Sequence, residues 1–427
     1  MRTQGLRLEQ APPIEIPFRF FLSAPLFGAL AGLLLLSRGA ELLITPLHTP
    51  TLAMVHLLTL GCLTMVMLGA LYQITPVLLG ANVYKVDLAT HVHFSLLAGV
   101  LCLAGGLAFS VRLLLLMALP LLCLGFLAVA VQFLVTFIRV RNINFTGAAV
   151  RLSLASLLMA ISLGLTYAGE HALGWLPLNR ASMVALHAFL GLGGWVGGLI
   201  LGVSHAVIPM FYLTRTARPA MSWSSFFLLL AMVLSAPVVL LDGGLGLRLI
   251  PPLAGLGAMA VLSAILIMQF RQRKRRITDT SLSYWKVGIA SGWISMALLF
   301  SLYFLDDARL VFAFGLFYLV GFALAIEVGM TYKIAPFLVW FHRYSKLAGR
   351  MQIPLMGDII MQHHAERQRL SFLVAFALLV LSVVFPQEIL ARTAGAAFFL
   401  SNIYWFYVLY KTATFQTELK SFEAKAS

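Results

Sequence analysis

Apolar residues run along this chain in stretches long enough to cross a bilayer, joined by short polar segments. A spanning helix needs about 20 apolar residues. Twelve stretches qualify, near 18–37, 53–79, 90–110, 113–137, 150–168, 183–212, 221–241, 247–270, 283–304, 310–341, 370–386 and 389–411. None shows the period-2 alternation of a lipid-facing barrel strand. Lipid cannot satisfy an open backbone, so each stretch is read as a helix. The predicted fold class is all-α: a polytopic membrane protein with twelve transmembrane helices in one membrane domain.

One short motif is written three times. Gly69-Ala-Leu-Tyr72-Gln-Ile-Thr-Pro76, Gly202-Val-Ser-His205-Ala-Val-Ile-Pro209 and Gly329-Met-Thr-Tyr332-Lys-Ile-Ala-Pro336 all read G-x-x-[YH]-x-x-x-P, with prolines 133 and 127 residues apart. The copies fall on spans 2, 6 and 10, near the end of each. Internal periodicity of this kind marks repeated structural units. It divides the chain into three pseudo-symmetric four-helix units, approximately 18–145, 146–276 and 277–411. Glycine permits close helix approach, and proline frees a carbonyl one turn earlier. The Tyr or His before each proline is placed to satisfy that carbonyl. A repeated kink and packing notch is the plainer reading of the motif, ahead of a ligand-binding role.

Only 11% of residues are charged, against roughly 25% in soluble domains. The net charge of +15 points toward nucleic acid until its distribution is considered. With a cytoplasmic N-terminus, the tails and even-numbered loops hold 23 of the 30 Lys and Arg residues. The odd-numbered loops hold Arg38, Arg112, Arg180, Arg248, Arg309 and Arg392, and Lys333 lies within a span. This is the positive-inside pattern with both termini cytoplasmic. The basic run Arg271 to Arg276 reads as an orientation and lipid-headgroup anchor, so the expected partner is the lipid bilayer and not nucleic acid. Cys62, Cys102 and Cys123 lie within spans without C-x-x-C spacing and read as small core residues. No phosphate loop, nucleophile elbow, covalent-haem motif or dinucleotide fingerprint is present.

Histidine inside a membrane is rare and is read first as functional. His56 lies one turn into span 2 and His187 one turn into span 6, both in the outer half. They stand 20 and 22 residues before their motif prolines. That difference is about 200° of helix rotation, so the two are not strictly equivalent unless a bulge or kink absorbs it. The plainer alternative is a pair of hydrogen-bonding histidines between helices. His91 and His93, at the cytoplasmic start of span 3, point to different faces and read as interface residues. His48 and His171 lie at the outer side, where each could add a ligand. Glu327 is the one acidic residue in mid-span, a proton relay or a node of a polar network. Lys333, six residues on, lies on another face, so each needs its own partner or water.

Twelve spans in three groups of four, with a His near the outer start of span 2 and another on span 6, resemble subunit I of the haem-copper oxidases. Pro17-Phe18-Arg19-Phe20-Phe21, the segment His56 to Gly80 and Val207-Ile-Pro209-Met-Phe211 resemble the NnrS-type membrane proteins, relatives of that family linked to nitric oxide stress. The resemblance implies that His56 is a haem ligand and His187 a metal ligand. It implies haem b, with copper possible, and a membrane or periplasmic redox partner. The chain departs from the oxidase pattern at span 7, which opens Met221-Ser-Trp-Ser-Ser-Phe without a His pair, and at span 10, which has no histidine between Leu310 and Trp340. A full oxygen-reducing centre cannot be assembled from it. The expected protein is a haem- or metal-binding protein of respiratory or nitrogen-oxide metabolism in a bacterial cytoplasmic membrane, an oxidoreductase if it is an enzyme. The competing readings are a proton-coupled secondary transporter of a small solute or metal, to which a mid-span Glu327 also points, and a cofactor-free respiratory assembly factor.

Overall fold

The computed structural model describes residues 12–140, 143–174, 180–240, 244–273, 279–417 and 420–421, with backbone alone at 180, 181, 239, 420 and 421. Ten helices are long and apolar enough to cross a membrane. They are α1 (Glu15–Leu43), α2 (Thr49–Leu79), α3 (Leu88–Phe109), α4 (Arg112–Arg139), α5 (Phe145–Leu173), α6 (Ser182–Tyr212), α7 (Pro219–Val238), α8 (Leu245–Gln272), α10 (Ala308–Leu347) and α11 (Gln362–Val384). Two more long helices, α9 (Thr280–Ser301) and α12 (Glu388–Ala413), complete the bundle. Both bury hydroxyl, amide and indole groups against their neighbours, Ser291 and Ser295 on α9 and Ser401, Asn402 and Trp405 on α12.

Sequential helices pack side by side, and α12 returns to lie along α1, closing the bundle. That last contact is backbone against backbone. A methyl group added to Gly32 would lie 2.5 Å from the Phe399 nitrogen, and one on Gly395 would lie 2.4 Å from the Leu36 nitrogen. Small residues at such crossings let helices gain dispersion contacts that lipid cannot replace.

The inner helices α2, α6 and α10 share an irregularity. Each contains a π-helical segment, Leu57–Leu63, Leu190–Gly197 and Phe317–Leu324. Each segment begins nineteen residues before the motif proline of its helix: Leu57 and Pro76, Leu190 and Pro209, Phe317 and Pro336. Within each segment a glycine falls fifteen residues before that proline, namely Gly61, Gly194 and Gly321. Their nearest neighbours are Phe27 on α1, Ser156 on α5 and Ser291 on α9. The motif glycines turn to the same three helices. Gly69 meets Phe20 and Phe21, Gly202 meets Ala149, and Gly329 meets Tyr284.

The residue one turn before each proline does not bond the freed carbonyl, contrary to expectation. Tyr72 donates its hydroxyl to Gln132 on α4 at 2.7 Å, and Tyr332 donates to Gln368 on α11 at 2.8 Å. His205 bonds the Leu201 carbonyl through Nδ1 at 2.8 Å and packs on Phe145. The two tyrosines reach across to neighbouring helices, where a buried hydroxyl satisfies another buried polar group, whereas the His205 imidazole bonds within α6. Cys62 is buried, but Cys102 is only partly so and Cys123 is exposed on the outer face of α4, so the thiols are not all core residues. Lys274 to Arg276 of the basic run lie outside the described residues.

Candidate functional site

His56 closes the last ordinary turn of α2 before its π segment, and His187 lies three residues before the π segment of α6. Their ring centres are 6.2 Å apart, with ring planes inclined at 31°. His56 Nδ1 lies 2.7 Å from the Leu52 carbonyl oxygen, one turn earlier in its own helix. His187 Nδ1 lies 2.8 Å from the Ala160 carbonyl oxygen on α5. A carbonyl only accepts, so in both rings Nδ1 carries the proton and Nε2 keeps its lone pair. A backbone carbonyl on the far nitrogen is the usual device that fixes a ligating imidazole's tautomer and orientation. Gly164 makes room for the second ring, since a methyl group there would lie 3.0 Å from His187 Cε1.

Both imidazoles open onto a cavity of about 1280 Å³, lined mainly by apolar side chains from around the bundle. This exceeds the roughly 300–1,000 Å³ of ordinary small-molecule pockets. All three π segments contribute to its wall. Two hydrogen bonds tie the inner helices together there. The Trp195 indole of α6 donates to Thr64 Oγ1 of α2 at 3.0 Å, and the Tyr318 hydroxyl of α10 donates to the Leu192 carbonyl of α6 at 2.8 Å. Toward one end the lining includes Glu170, His171, Tyr303 and Asp306. Burial holds the Tyr303 hydroxyl proton more tightly than water would.

The remaining candidate residues are placed apart from this pair. His171 borders the cavity but is exposed. His48 lies 3.8 Å from Glu41 at the loop before α2 and does not line the cavity. His93 is buried at the α1–α3 contact with Nε2 2.7 Å from Ser23 Oγ, while His91 faces outward. His364 bonds the Tyr404 hydroxyl in the first turn of α11. Lys333 forms an ion pair with Asp279, which precedes α9, and stands over the Tyr212 ring. Glu327 is 5% exposed and neither of its oxygens has a partner.

Among the described residues no three His, Cys, Asp or Glu side chains group as a metal site. Two imidazoles alone suit a group that brings its own further ligands, as a porphyrin does, or a two-coordinate copper(I). On opposite sides of one metal ion the ligating nitrogens are about 4 Å apart, and roughly 1 Å more lies between each nitrogen and its ring centre, giving about 6 Å between centres. The observed separation meets that requirement. Trp195, Tyr318 and Gly164 carry no signal of their own in the sequence. The glycines fifteen residues before each proline do, as an extension of the repeated motif.

No protein-family model matches this chain, and no curated protein matches it either.

Proposed function

We propose that this protein holds a haem between His56 and His187, with copper the next candidate, and serves respiratory or nitrogen-oxide metabolism in a bacterial cytoplasmic membrane. The observation that carries this reading is the separation of the two rings, 6.2 Å, with each Nδ1 tied to a carbonyl and each ring on the wall of one large apolar cavity. His56 and His187 would hold the group through their Nε2 nitrogens. A haem held in this way supplies one-electron exchange, with its potential set by the ligands and by burial. The chain's own part is to orient two neutral imidazoles, to keep water out with apolar walls, and to hold α2, α6 and α10 in register through Trp195 and Tyr318. The respiratory setting rests on the family resemblance.

The reading includes twelve spans in three four-helix units with both termini cytoplasmic. Three recurrences favour the units: the proline motif, the π segments nineteen residues before it, and the paired glycines that pack on α1, α5 and α9.

The test is the absorption spectrum and the haem and copper content of the purified protein, of His56→Ala and of His187→Ala. His91→Ala, altered at an exposed ring, is the control. The wild type and the control should show a haem Soret band, and both cavity variants should lose most of it. A colourless, metal-free wild type would overturn the reading and leave the transporter or the assembly factor.

A further inference from the structure

Glu327 is an acid buried within the described bundle. It lies on α10 three residues past the π segment, almost fully buried, with both carboxyl oxygens unpartnered. An ionised carboxylate in that position would cost several kcal/mol or more. It is therefore a neutral carboxylic acid, whose O–H and C=O still lack partners. The groups around it are already engaged. Thr331, one turn on, donates to the Val328 carbonyl and accepts from the Trp405 indole of α12. Tyr332 on the same helix and Tyr284 on α9 both donate to Gln368. Lys333 is paired with Asp279. Cys62, buried in the π segment of α2, is carried on the turn that packs against the π segment of α10.

Glu327 does not itself line the large cavity, but neighbours on its helix and on α2 do. Cys62 stands between Leu60 and Thr64, both of which line that space. Phe322, five residues before Glu327, lines it from α10, and five residues span about 7.5 Å of helix. Cys62 and Phe322 both lie in π segments, and α10 returns to α-helix at Ala325, just before Glu327. π-helical turns break the regular i→i−4 ladder, recur at functional sites, and offer water the backbone groups it needs within a membrane.

We propose that Glu327 is a proton-exchanging acid behind the cavity wall, its partner being water lodged at the widened turns of α2 and α10. The step is Glu–COOH plus water giving carboxylate plus hydronium. The O–H bond of the acid breaks, its electron pair stays on the carboxylate, and the proton passes to a water oxygen. The reverse step reloads the site. The acid would thus compensate charge that enters or leaves the cavity, whatever the occupant. It does not depend on haem being that occupant.

Infrared spectroscopy of the full-length protein in lipid tests this through the carboxylic C=O stretch, which only a protonated acid shows. The expected result is a band that Glu327→Gln removes, Glu327→Asp moves, and Cys62→Ala shifts. In heavy water the wild-type band should move within minutes, ahead of the core amides. If Glu327→Gln does not fold, the Asp and Cys62 variants still assign the band. Absence of any carboxylic band assignable to Glu327 would overturn the proposal, because the group would be ionised. A band that stays unmoved in heavy water for hours would overturn it too, because the acid would be sealed in the core.

Discussion

The imidazole of His187 leans on α5, not on its own helix: its Nδ1 meets the Ala160 carbonyl, and its ring fills the space over Gly164. His56 makes the corresponding bond within α2, to Leu52. The two rings meet at one cavity wall, one held within its own helix and the other held by a neighbour. Their unequal distances from Pro76 and Pro209 do not prevent a meeting, because both helices present the same broad face to the cavity: Met54 and His56 on α2, and His187 and Phe189 on α6, all line it. The positions are not equivalent in the repeat, and convergence does not require that they be.

Gly164 is thus a specificity-setting position for the second imidazole. Alanine there places a methyl carbon 3.0 Å from His187 Cε1, tight enough to displace the ring by a few tenths of an ångström. Gly164→Ala should fold with a stability loss of about 1 kcal/mol and hold less cofactor than wild type. Gly164→Val should hold hardly any. Cofactor content per protein and the melting temperature read the two effects separately. Wild-type cofactor content in both variants would argue against His187 as a ligand.

The motif tyrosines predict unequal costs. Gln132 Oε1 accepts from Tyr72 at 2.7 Å, and no second side-chain donor to it is found among the described residues. Gln368 Oε1 accepts from both Tyr332 at 2.8 Å and Tyr284 at 2.5 Å. Tyr72→Phe strands a buried acceptor, at a cost of roughly 1–3 kcal/mol. Tyr332→Phe leaves Gln368 one donor and should cost about half as much. Thermal melting in one detergent ranks them, and an equal or reversed ranking would contradict the shared-acceptor account.

The outline of the fold was legible because a bilayer demands length and apolarity, which a sequence displays directly. The runs near 183–212 and 310–341 correspond to Ser182–Tyr212 and Ala308–Leu347. The π segments were not legible. They are shifts in backbone hydrogen bonding that leave the apolar pattern of each run unchanged. Lys333 and Glu327 were correctly separated by helix angle, but the partner of Lys333, Asp279, lies 54 residues away in sequence and only the fold brings it near. Convergence of His56 and His187 likewise depended on helix packing, with the sequence showing only that both enter the same end of the bundle.

The cationic asymmetry makes a prediction about orientation. Both termini should be cytoplasmic, since that orientation puts 23 Lys and Arg residues on the cytoplasmic side and six on the other. Reporter fusions after Arg276 and after Arg309 should give opposite readings, with the first and the C-terminus cytoplasmic. Activity of a periplasm-only reporter at the C-terminus would reverse the assignment.

The repeated glycines predict where the bundle is least tolerant. A methyl group at Gly202 would lie 2.5 Å from Ala149 Cβ, at Gly329 2.6 Å from Tyr284 Cβ, and at Gly69 2.9 Å from Phe20 Cβ. In each case the neighbour is a Cβ fixed to a packed helix, so relief requires the helices to part. Overpacking of this kind costs about 1–3 kcal/mol. Gly315, also helical, has nothing within 4 Å of the added carbon. Gly315→Ala should be neutral or gain up to ~1 kcal/mol from helix propensity. Melting temperatures of the four single variants should therefore split, three falling and Gly315→Ala holding or rising. If the motif variants melt with Gly315→Ala, the glycines are not packing notches, and the repeated motif would need another explanation at its prolines.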